Sequence, residues 1–168
     1  MDILFHWLIP LIIVIAFSNI DKRTILCLSP FALFPEIDAF FGMHRMILHN
    51  LFVVSVPLLI YFISRRKKLI FVLIAYFLLS HVVLDLAYPG VALFYPVSDE
   101  RIYFSVDFMF EDWGVMPVVD YGVYYVEPTG KSPVGEFISN SSIMVLGLIL
   151  LFVAGQILLK SGGGNRVR

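Results

Sequence analysis

Charge, cysteine and internal repetition are all scarce in this chain of 168 residues. Charged side chains make up 15% of it and balance to a net −1, so the molecule as a whole has no attraction for nucleic acid. The lone cysteine, Cys27, cannot form an intramolecular disulfide. It lies in an apolar segment and reads as a small buried hydrophobe. No internal repeat stands out, which argues against a repeat architecture. The N-terminus lacks the positive charges of a signal peptide. Ile3 to Phe17 is apolar, but Asp21, Lys22 and Arg23 come after it, so the segment reads as a retained membrane helix.

What is abundant is apolar surface. Hydrophobic residues make up 60% of the chain and the mean hydropathy is +0.90, against about 45–50% apolar residues in soluble domains. These values predict an all-α polytopic membrane protein forming a single domain over 1–168, with the lipid bilayer as its first partner. A span needs about 20 mostly apolar residues. Segments 3–19, 46–63, 69–88 and 138–159 meet this, and 24–43 is a less regular fifth. That fifth segment carries Pro30, Pro35, Glu36 and Asp38, so it reads as a short helix followed by non-helical chain. Such backbone survives at membrane depth only where protein or a wet cavity covers it. The expectation is therefore about five transmembrane or partly re-entrant helices.

The positive-inside rule supplies an orientation. Arg65-Arg66-Lys67-Lys68 forms a tight turn between two segments, Lys22 and Arg23 follow the first, and Lys160, Arg166 and Arg168 follow the last. All fall on the cytoplasmic side if the N-terminus is outside. Residues 97–137 then form an extracytoplasmic insertion and 160–168 a flexible basic tail. Arg101 to Phe110 alternates with period two, and Val118 to Val126 is rich in Val and Tyr. Both point to a small β-rich cap.

Within 69–88 the strongly polar side chains are Ser80, His81 and Asp85. An ionisable group at bilayer depth costs about 2.5–3.5 kcal/mol on insertion scales and usually marks function. Four residues advance a helix by roughly 40° beyond one turn, so His81 and Asp85 share a face. In the five-pass topology the outer level also receives Glu36, Asp38, His44 and His49, and His6 lies near the start of the first helix. All four histidines thus converge on one level. His44 and His49 would stand roughly 140° apart on an ideal helix. A break at Gly42, with His44 at the helix entry and His49 in its first turns, lets both face a common centre. Zinc accepts His and Asp ligands, and a catalytic site keeps one position for water, whose pKa the metal lowers to about 7.

Four elements occur in order: Pro35-Glu36-Ile37-Asp38, His44-Arg45-Met46-Ile47-Leu48-His49-Asn50, Ser80-His81-Val82-Val83-Leu84-Asp85, and Gly90-Val91-Ala92-Leu93-Phe94-Tyr95-Pro96. Over residues 30–98 the chain resembles the membrane-bound metal-dependent hydrolases, the YdjM-like inner-membrane proteins. Two departures stand out: Glu36 replaces the usual first Asp of the motif, and Asn50 stands where Ser is frequent.

The resemblance implies hydrolase chemistry, and the positive-inside topology puts the site on the extracytoplasmic side of the cell membrane. One or two divalent ions, Zn2+ first, would be held by Asp38, His44, His49, His81 and Asp85, with His6 a further candidate. Glu36 or Asp38 would act as base. Arg45 would neutralise developing charge or clamp a phosphate or carboxylate. A site at headgroup depth favours a lipid or lipid-linked phosphoester or ester. The alternative is a non-enzymatic membrane protein with a structural or regulatory metal, or a partner-binding subunit. Ion transport is weaker, because no charged residues continue into the cytoplasmic half of the segments.

Overall fold

The computed structural model describes residues 3–41, 44–64, 68–87, 89–111, 114–125, 147 and 149–155. The chain runs through α1 (Ile3–Phe17), α2 (Lys22–Leu28), a 3-10 helix (Ser29–Phe41), α3 (Leu51–Ile63), α4 (Lys68–Leu84), β1 (Glu100–Glu111) and β2 (Gly114–Tyr125).

The expected all-α polytopic architecture is overturned. Among the described residues one continuous helical segment, Lys22–Phe41, is long and apolar enough to cross a membrane. Ile3–Phe17, Leu51–Ile63 and Leu69–Leu84 are apolar but shorter, and a two-stranded antiparallel sheet stands beside the helices. The reason is that apolar runs are longer than the helices they contain. Asn50 caps α3 by accepting from the Val53 amide at 3.0 Å, so the apolar residues before it lie outside the helix. Its 13 residues rise only about 20 Å, short of the roughly 30 Å hydrocarbon core. The orientation drawn from five passes loses its basis with them.

The segment expected to be least regular is the long one. After α2, capped by Asp21 through Thr24, the chain continues as 3-10 helix rather than as non-helical chain. Of the expected segment 138–159, residues 149–155 are helical and Phe152 meets Phe17 of α1; most of its remainder, like Gly42, the 65–67 part of the basic turn and the tail 160–168, lies outside the described residues.

A 3-10 helix turns every three residues, so positions i and i+3 eclipse. The buried residues of Ser29–Phe41 follow that period: Ser29, Ala32, Pro35 and Asp38 form one inward row. In an α-helix the same spacing would drift by roughly 60° per step and lose the row. Runs of this length are uncommon and often mark functional segments.

Two apolar cores meet on α4. Leu73 and Phe77 pack with Leu11, Val14, Ile25 and Ala32, while Leu78 and Val82 pack with Val54 and Val91. Each pair is spaced i, i+4, so one helix serves both cores. Cys27 is exposed, against the expectation of burial. On α2 it stands roughly 200° around from Ile25, the residue that faces the core.

The strands pair antiparallel from Glu100↔Tyr125 to Glu111↔Gly114 as a hairpin, where the period-two pattern predicted a small β-rich cap. The base of the hairpin is tied down. Val91 and Ile102 exchange backbone hydrogen bonds, and the Phe104 amide donates to the Leu86 carbonyl at 2.8 Å. Gly90 allows this approach: its φ is +74°, and a Cβ there would lie 2.4 Å from the Ile102 oxygen.

Candidate metal centre

Three chain segments deliver polar side chains to one buried place. The 3-10 row ends at Asp38, with Glu36 beside it. The turns of residues 44–50 carry His44, Arg45 and His49. The end of α4 carries His81, and Asp85 follows one turn later, its amide donating to the His81 carbonyl. Neither His44 nor His49 sits inside a helix, since α3 begins only at Leu51. The loop holds its shape through Asn50, whose Nδ2 donates to the Met46 and Ile47 carbonyls, and through Arg45, which adopts φ +66°. From outside, the Ala92 amide donates to the Arg45 carbonyl and the Leu51 amide to the Leu93 carbonyl, both at 3.0 Å.

The hydrogen bonds settle the tautomers. His81 Nδ1 lies 2.5 Å from the Ala32 carbonyl, which can only accept, so this nitrogen carries the hydrogen. His49 Nδ1 donates to Asp38 Oδ2 at 2.8 Å and His44 Nδ1 to Asp38 Oδ1 at 3.0 Å. The Leu48 amide adds a third bond to Asp38. With both Nδ1 atoms committed, the Nε2 atoms of His49 and His81 face each other at 2.9 Å. Asp85 Oδ2 stands 3.1 Å from the first and 3.3 Å from the second, yet among the described residues it accepts no hydrogen bond of acceptable geometry. Glu36 Oε1 is 3.7 Å from His81 Nε2. Asp85 Oδ1 is taken by Arg45 Nη2 at 2.8 Å and by His6 Nε2 at 3.1 Å.

Two imidazole lone pairs and a carboxylate oxygen that converge without a hydrogen between them need one positive centre. A proton or a cation can fill that role. Burial alone would pull the His49 imidazole down, but its bonds to Asp38 and Asp85 outweigh this and raise it to about 8. Burial pushes the Asp85 carboxyl up, yet hydrogen bonds from His49, His6 and His81 hold it well below the ordinary carboxylate range.

A metal ion fits the same donors. Glu36, His49, His81 and Asp85 each offer one ligand atom within 4.8 Å of the others, as do Asp38, His44 and His49 in a second group. The Asp85 oxygen, which accepts no well-aligned hydrogen bond among the described residues, and the nitrogen–oxygen donor set suit a borderline divalent cation. The buried His/Asp/Glu groups can therefore hold a metal ion.

All the residues singled out in the sequence, Glu36, Asp38, His44, Arg45, His49, His81 and Asp85, come together here. Ser80 does not take part: its hydroxyl turns back to the Tyr76 carbonyl. Two members were underweighted or missed. His6 is fully buried against Asp85 and stacks on His81 with ring centroids 4.3 Å apart. It is the sole titratable residue of α1, the same signal that pointed to His81. Arg101 went unnoticed, although no other Lys or Arg lies between Lys68 and Lys131. It is buried, and its Nη2 donates to the His44 carbonyl at 3.0 Å. Burial weakens its hold on the proton, Tyr124 strengthens it, and the Arg45 charge again weakens it.

Residues 1–161 match the model of the family described as YdjM inner membrane protein. Neither the curated proteins nor the solved structures contain a match to the chain. The chain belongs to the YdjM family and is a membrane protein.

Proposed function

We propose that this member of the YdjM family is a metal-dependent hydrolase, with zinc as the first candidate ion, acting on a lipid-like phosphoester or ester. The observation that carries the reading is the meeting of the His49 and His81 Nε2 atoms, 2.9 Å apart, with Asp85 Oδ2 at 3.1 and 3.3 Å from them. Each ring is anchored through its other nitrogen, on Asp38 or on the Ala32 carbonyl, as metal-ligating histidines generally are. In this reading His49, His81 and Asp85 hold the ion. Asp38 orients His49 and His44, and the second group, with His44, is the place for a second ion. A divalent cation held by these residues would supply Lewis acidity and activate water for attack.

The side chains do the remaining work. Glu36, with its side chain 17% exposed, is the most accessible carboxylate of the cluster and accepts the proton released in hydrolysis. Arg45, ion-paired with Asp85, neutralises charge that develops on the substrate. An amphiphilic substrate is supported by a cleft of about 410 Å³ between the 3-10 helix, α3 and α4, lined entirely by apolar side chains. Leu48 lines the cleft while its amide holds Asp38, so the cleft adjoins the cluster.

A structural metal is the second reading. The specific observation favouring it is that Glu36, His49, His81 and Asp85 make four donors, enough to close a tetrahedral site. Metal analysis of the purified chain and of His81→Ala, together with a screen of phospholipids and phosphoesters with and without chelator, tests both. Bound metal that is lost in the variant, with chelator-sensitive hydrolysis, is expected. Absence of metal from the folded wild type ends both readings, and metal without hydrolysis selects the structural one.

A further inference from the structure

Two arginines beside the cluster each keep a donor without a partner. Arg45 is 8% exposed and Arg101 6%; Arg45 Nη1 and Arg101 Nε are both buried with no hydrogen bond among the described residues. The fold brings them to one place by a continuous set of backbone links. Ile102, next to Arg101, exchanges hydrogen bonds with Val91, and Ala92, next to Val91, donates to the Arg45 carbonyl. Arg101 then reaches the carbonyl of His44, the residue before Arg45. Arg45 is ion-paired with Asp85, whereas Arg101 forms no ion pair among the described residues. Guanidinium does not give up its proton in proteins, so a buried, unpaired one calls for an anion. Arg45 also holds φ +66°, an uncommon conformation for a side chain of its size and one that clusters at binding and active sites.

We propose that Arg45 and Arg101 together bind a phosphoryl oxyanion next to the metal centre. The geometry selects this anion over a carboxylate. A carboxylate is recognised by the two-pronged fork of one guanidinium, but each fork here already has a nitrogen committed, to Asp85 or to the His44 carbonyl. Each arginine also keeps a buried donor unpartnered among the described residues, Arg45 Nη1 and Arg101 Nε, and two donors on separate segments match oxygens set apart on a tetrahedral phosphorus. The site deepens the hydrolase reading by choosing phosphoester over carboxylic ester. Arg101 belongs to the hairpin, so the hairpin supplies part of the binding site.

The test uses the full chain in detergent, freed of metal, so that the ion of the preceding section does not contribute. Inorganic phosphate is titrated by calorimetry and by its effect on thermal unfolding, and metal uptake is measured separately on the same preparations. Wild type is expected to bind phosphate saturably. Arg101→Gln is expected to weaken binding at least tenfold, about 1.4 kcal/mol, while still taking up metal. Arg101→Lys, which keeps the charge but not the Nε donor, guards against misfolding of the first variant and also binds more weakly. No saturable binding by folded wild type, or unchanged affinity in both variants, overturns the site whatever the metal result. Phosphatidic acid in mixed micelles is then added as competitor. Displacement of phosphate assigns the site to a lipid headgroup, and its absence assigns it to a soluble phosphate ester; the oxyanion site stands in either case.

Discussion

The His/Asp/Arg cluster and the β-hairpin invert the usual distribution of side chains. In the cluster His6, Asp38, His49, His81 and Asp85 are buried almost completely. On the hairpin Phe104, Tyr121, Val123 and Tyr125 are among the exposed residues. Charge inside costs free energy unless it is paired, so the cluster persists because its members satisfy one another. Apolar surface outside has no such internal compensation. The hairpin is secured at its base and leaves its apolar face to whatever surrounds the molecule, which for a membrane protein includes lipid. Arg101 crosses between these regions, starting on the strand and ending at the cluster.

The largest expected effect comes from removing the hub of the cluster. Asp85→Ala strands Arg45 and His6 and should cost about 3–5 kcal/mol together with metal binding, read by thermal unfolding and metal content. A variant as stable as wild type would remove the contrast, because the buried charges would then not depend on one another. Next is the joint between the regions. Gly90→Ala places a Cβ against the Ile102 backbone at positive φ and should cost about 1–3 kcal/mol. Faster proteolysis of the hairpin should accompany the loss, and an unaltered digestion rate would show that this contact does not hold it.

pH separates the empty cluster from the loaded one. The raised value of His49, about 8 against 6.5, contributes stability that is complete below about pH 6.5 and lost as pH rises through about 8. The lowered value of Asp85 contributes above its ordinary 3.8 and is lost as pH falls below that. Metal uptake requires His49 to release its proton, so affinity rises with pH. Metal-free protein should therefore lose melting temperature between pH 6.5 and 8 while metal-loaded protein does not; parallel profiles would contradict the shared position of proton and metal. The smallest effect belongs to the exposed face. Val123→Thr should change stability by no more than about 0.5 kcal/mol, and a larger loss in a denaturant melt would mean that this face is covered.

Much of the cluster could be read from the chain because its signals are local. The i, i+4 spacing of His81 and Asp85 and the isolation of polar residues in apolar stretches require no knowledge of neighbouring segments. The hairpin was legible for the same reason, since alternation between Arg101 and Phe110 is a property of consecutive residues. Helix ends were not. An apolar run gives no sign of where Asn50 will cap, nor that Ser29–Phe41 will wind with three residues per turn. Asp38 and Glu36 were recognised by type, but their approach to the histidines depends on that winding. Arg101 was invisible because its partner is a backbone carbonyl 57 positions away.

The amino-acid sequence by itself determined that this is an apolar, membrane-family chain with a histidine–carboxylate motif and a hairpin-forming segment, since composition and short-range periodicity are written in neighbouring residues. Only the tertiary structure decided how long the helices are, which nitrogen of each imidazole faces the centre, and that an arginine from the hairpin reaches the site. Those outcomes depend on caps, on the 3-10 row and on contacts between distant segments. Burial then turns them into chemistry, because a polar group removed from water must find its partner within the fold.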